Sequence, residues 1–146
     1  MQDPTSQREE FDYGISRYWI EDGRICVIET QGDMRREAID TWANAAVSLL
    51  EIWPADRPYA LLHKLDSPGQ GFTPYSRKRA QDIMAALPGD RVAYTAIVLA
   101  DTFVNRVIGF FLRSVRHTGK EQKERVFVDM DDARHWLLDQ LRQHNI

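Results

Sequence analysis

The chain has 146 residues, 43% hydrophobic and 28% charged, and sets 19 Lys and Arg against 22 Asp and Glu for a net charge of −3. That balance excludes a globally basic nucleic-acid binder and a highly charged disordered chain, and at roughly 150 residues per domain the length suits one domain with its own core. One cysteine excludes a disulfide framework and a multi-cysteine zinc site.

Residues 1–12 are polar, carry no apolar run of the signal-peptide kind, and read as a flexible N-terminal tail before a single domain over 13–146. Two β-rich runs follow, YGISRYWI and RICVIET, joined by Glu21-Asp22-Gly23, a hairpin signal. Cys26 lies between Ile25 and Val27, where a free thiol acts as a small core hydrophobe.

Asp33 is placed to cap a helix running to about Trp53. Ile39, Trp42, Ala46, Leu49, Leu50 and Trp53 recur at helical spacing on one face, and Pro54 ends the run. Tyr59 to Leu65 (YALLHKL) reads as a strand buried on both faces. It leads into the turn-rich loop Asp66 to Gly71.

Thr73 then caps a second helix with Pro74 at its first position, where the missing N–H costs nothing. Its inner stripe is Ala80, Ile83, Met84 and Leu87, and Pro88-Gly89 stops it. Arg91 to Ala100 (RVAYTAIVLA) reads as a central parallel strand, and Phe103 to about His117 as a third helix closed by Gly119. Arg125 to Val128 is a short last strand, and Asp129 caps a final helix carrying Ala133, Trp136, Leu137 and Leu141.

The order ββαβαβαβα gives an α/β fold: a mixed, mostly parallel sheet of about five strands with four helices packed against it.

No dinucleotide fingerprint, Walker sequence or nucleophile elbow occurs. The loop 66–71 lacks the Lys-Ser/Thr end of a phosphate loop and reads as a connection. His63, His117, His135 and His144 show no metal spacing, so neither a metal nor a cofactor is expected. His63 falls near the C-terminal end of its strand, beside Lys64 and close to Asp66, where open α/β sheets place their sites. A His with a carboxylate can transfer protons, so a small enzyme centred on His63 and Asp66 is one alternative. No further nucleophile or acid accompanies the pair, and a histidine hydrogen-bonded to backbone or to Asp66 is the ordinary reading.

From 103 to 125 there are six positive and two negative side chains in a chain that is acidic overall. Phe103 and Phe110, off the main apolar stripe, join Arg106, Arg113 and Arg116 in the pattern of a partner-docking or anionic-membrane surface. Exposed Phe110 and Leu112 would also favour a homodimer. Arg77-Lys78-Arg79 at the second helix start is a smaller basic run, either a solvated face or an anion site with the free backbone N–H groups.

The element order, the strand VAYTAIVLA and the ending VFVDMDDARHWLLDQL resemble the STAS-like superfamily (sulfate transporters and anti-sigma-factor antagonists) over about residues 13–143. The ending looks like that of small bacterial members of unassigned role. The resemblance implies a small mixed sheet with helices and no catalysis. In regulatory members a serine at the start of the helix after the third strand is phosphorylated, which switches binding to a protein partner. Counting from Asp66, Ser76 falls about there, with Thr73 close and Arg77 and Arg79 able to pair with a phosphate. The Asp-Ser-Ser-Gly type motif is replaced by Gly71-Phe72-Thr73-Pro74-Tyr75-Ser76.

The expectation is a cytoplasmic, non-enzymatic regulatory or protein-interaction module, with a peripheral membrane or lipid-binding protein as the alternative.

Overall fold

The computed structural model describes residues 8–32, 35–66, 73–101 and 122–143. Among these, strands β1 (Glu9–Glu10), β2 (Ile15–Ile20) and β3 (Ile25–Thr30) precede helix α1 (Arg36–Ile52). Then come β4 (Tyr59–Leu65), α2 (Pro74–Ala86), β5 (Ala93–Leu99), β6 (Gln122–Phe127) and α3 (Met130–Arg142). The six strands form one sheet in chain order. β1, β2 and β3 are antiparallel neighbours, and β3, β4, β5 and β6 are parallel.

Side chains alternate across a strand, and that alternation sorts the layers. Cys26, Leu61 and Thr95 stand abreast on β3, β4 and β5, and the same face carries Ile28, His63 and Ile97. α1 and α2 cover this face: Trp42 reaches His63, and the Tyr59 hydroxyl donates to the Leu50 carbonyl. Tyr94 and Phe127 point the other way and pack against Trp136 of α3. Ile39, Trp42, Ala46, Leu49 and Leu50 are all buried, so the apolar stripe of α1 does what its spacing requires. Burial of these stripes on both faces is the main source of stability, at about 25 cal/mol per Å² of apolar surface removed from water.

Local signals set several boundaries. Thr73 caps α2 with Pro74 at the first helical position. Asp129 caps α3 by accepting from the N–H groups of Asp131 and Asp132. The hairpin between β2 and β3 turns through Glu21, Asp22 and Gly23, all left-handed, with φ of 54°, 55° and 80°. Glycine adopts that region freely; for Glu21 and Asp22 it is strained. Glu21 is held by an ion pair with Arg134 at 2.8 Å.

Three expectations change. The sheet has six strands, not five, because β1 forms inside the stretch read as a free tail. It carries no apolar alternation; it pairs with β2, and Glu9 and Arg8 are tied by ion pairs to Arg17 and Glu29. The last strand starts at Gln122, earlier than Arg125, since pairing begins where Gln122 meets Ala93. α1 begins at Arg36 with Arg35 in the cap position and no side-chain cap, while Asp33 lies outside the described residues. Three α-helices are present among the described residues; the helix read over 103–117 lies outside them.

Candidate functional site

The parallel register assembles a site that no local stretch of sequence contains. Thr95 stands opposite Glu124 across β5 and β6. His63 lies one strand away on β4, opposite Ile97, two residues further along β5 than Thr95. All three share the face covered by α1 and α2 and line one pocket. The rest of its wall is chiefly apolar, including Trp42, Leu65, Ile83, Met84 and Ile97. The cavity is about 30 Å³, within a hollow of about 450 Å³ that includes open solvent.

His63 is 3% exposed, and its Nδ1 accepts the indole N–H of Trp42 at 3.1 Å. The two rings meet edge to face, with centroids 5.5 Å apart. Burial disfavours the imidazolium and pushes the ring pKa down to about 4. The ring is therefore neutral at pH 7, and with Nδ1 accepting, its proton sits on Nε2. His63 offers the pocket a donor and cannot act there as a base at neutral pH.

Thr95 is 2% exposed, and its Oγ1 has no hydrogen-bond partner among the described residues. Burying a hydroxyl without a partner costs about 1–3 kcal/mol. Burial raises the Glu124 carboxyl to about 7, because the charged form loses water.

The site residues read from sequence divide differently. His63 and Asp66 do not come together. Asp66 pairs with Lys64 at 2.9 Å, and Lys64 stands on the opposite sheet face from His63, where Glu29 also meets it at 3.6 Å. The alternative of a proton-transfer pair is not met, and the partner of His63 is Trp42 rather than Asp66.

Ser76 and Thr73 do come together, as a capping box. The Thr73 hydroxyl accepts the Ser76 N–H at 3.1 Å, and the Ser76 hydroxyl accepts the Thr73 N–H at 2.7 Å. Ser76 is 1% exposed, so its hydroxyl is occupied in holding the helix start. Arg79 turns to α1, reaching Asn44 at 3.0 Å and Asp40 at 3.6 Å, and Asp82 on its own helix at 3.3 Å. The Tyr75 hydroxyl donates to Asp40 as well. Arg79 and Tyr75 thus clasp α1 to α2. Arg77 stands half-buried on the first turn of α2. Phe103, Arg106, Phe110, Arg113 and Arg116 lie outside the described residues.

Cys26 is 1% exposed and its thiol is pushed up to about 12 by burial, so it is a core side chain and not a nucleophile. Among the described residues no group of His, Cys, Asp and Glu is arranged to hold a metal, and no helix is long and apolar enough to cross a membrane.

Thr95 and Glu124 were missed by sequence reasoning. The available signal was a lone threonine inside the apolar run RVAYTAIVLA. Comparison with protein-family models, with curated proteins and with solved structures finds no match to this chain.

Proposed function

We propose that this protein is a non-enzymatic regulatory module of the STAS-like kind, with the His63–Thr95–Glu124 pocket as its sensory site and a protein partner as its output. One observation carries the reading: a buried Thr95 hydroxyl, unpartnered among the described residues, beside His63 and Glu124 in a chiefly apolar hollow. An apolar pocket with a few convergent polar groups is the usual form of a small-molecule site. The input is then a bound molecule and not a phosphate on Ser76, whose hydroxyl holds the α2 cap. Occupancy would act on a partner through the α1–α2 layer, since Trp42, Ala80 and Met84 of those helices line the pocket.

A second reading, a small enzyme, draws on Glu124, whose carboxyl titrates near 7 and has the proton affinity of a general acid. His63 supplies no base for the Thr95 hydroxyl, because its free nitrogen already carries its proton, so this reading would need Glu124 to serve as both acid and base.

A thermal-shift screen of small molecules separates the two. The sensory reading expects hits whose effect is lost in Ala80→Leu, which fills the pocket, and which NMR recovers chemically unchanged. A hit converted to product would establish the enzyme. Hits that are equally effective on Ala80→Leu would remove the pocket from the account.

A further inference from the structure

We infer that the ligand of this pocket is a small uncharged carbonyl compound, a ketone or primary amide on a short apolar body. The inference rests on the sensory reading above and concerns only what the pocket takes. It follows from the groups that His63 and Thr95 present; Gln81, the other uncharged polar side chain of the wall, can both donate and accept and does not select between classes. The Trp42 N–H occupies Nδ1 of His63, so the ring can only donate from Nε2. The Thr95 hydroxyl has a proton to give and no partner among the described residues. Two donors on neighbouring strands ask for an acceptor, and a carbonyl oxygen has two lone pairs to match them.

Charge sorts the other candidates. The described wall contains no Lys or Arg, and its one ionisable acid is Glu124. A carboxylate would enter an apolar hollow without a cation and against Glu124. An ammonium would be drawn to Glu124 but would bring donors to the donors of His63 and Thr95, and would lose its water in doing so. An uncharged carbonyl meets neither penalty.

The experiment is an NMR titration of the full chain, following the His63 ring signals, with cyclopentanone, propionamide, propionate and propylamine as probes. The two uncharged probes should shift the His63 ring saturably, and the charged probes should leave it in place. Thr95→Val should weaken cyclopentanone binding about tenfold, the equivalent of one lost hydrogen bond, while Thr95→Ser keeps it. Propionate or propylamine binding as well as the ketone, with Ala80→Leu abolishing the effect, would overturn the carbonyl class and leave the sensory pocket standing. Silence of the His63 signals to every probe would overturn both. Equal ketone affinity in Thr95→Val and wild type would overturn the assignment of the hydroxyl.

Discussion

The indole N–H of Trp42 donates to Nδ1 of His63 at 3.1 Å, inside the layer between α1 and the sheet. This bond fixes the tautomer, keeps the ring from acting as a base, and turns its remaining nitrogen into a donor. Trp42→Phe removes the donor and leaves a buried acceptor, for which a loss of about 2 kcal/mol is expected. Urea unfolding measures it. Long-range ¹H–¹⁵N correlation of the His63 ring should show the proton on Nε2 in the wild type and a mixture in the variant.

Two pocket groups give opposite pH dependences. Glu124 has its pKa raised from 4.5 to about 7, so between those values the folded chain holds the extra proton. Its contribution is present at low pH and is lost as pH rises through that window. His63 has its pKa lowered from 6.5 to about 4, so there the unfolded chain holds the extra proton, and its contribution is lost as pH falls. The two slopes oppose each other between about 4.5 and 6.5. Glu124→Gln should leave stability falling more steeply on acidification through that range. His63→Gln should leave it falling as pH rises toward 7. Melting temperatures across pH 4 to 8 for the three proteins check both signs, and identical profiles would contradict them.

Much of the scaffold was legible in the residues. The stripe from Ile39 to Leu50, the mostly apolar run of β5, the Thr73-Pro74 start and the Asp129 cap each have a local cause that survives folding. β1 was not legible, because nothing within Glu9-Glu10 favours a strand; ion pairs to residues of β2 and β3 hold it there. The pocket was not legible either. His63, Thr95 and Glu124 meet through the parallel register of three strands, which depends on crossovers and not on spacing. Sequence closeness pointed instead to Asp66, only three residues from His63, but Asp66 lies just past β4 and pairs with Lys64, whose side chain points to the face opposite His63.

The α2 start separates a structural serine from a regulatory one. Thr73→Ala should cost about 1 kcal/mol through loss of the cap. Ser76→Asp should destabilise rather than switch the protein, since the carboxylate enters a site with 1% exposure. Chemical denaturation checks both. A Ser76→Asp protein as stable as the wild type would restore Ser76 as a candidate acceptor.

Thr95 tests the central claim most directly, because Val has its shape without the hydroxyl. If the hydroxyl is kept for a ligand, it burdens the free protein, and a group held for function at a cost to stability is a known trade-off. Equilibrium unfolding of ligand-free Thr95→Val should then show a gain of about 1 kcal/mol over the wild type. A loss of similar size would mean that the hydroxyl is already bonded within the fold, and would contradict the account of a pocket waiting for an acceptor.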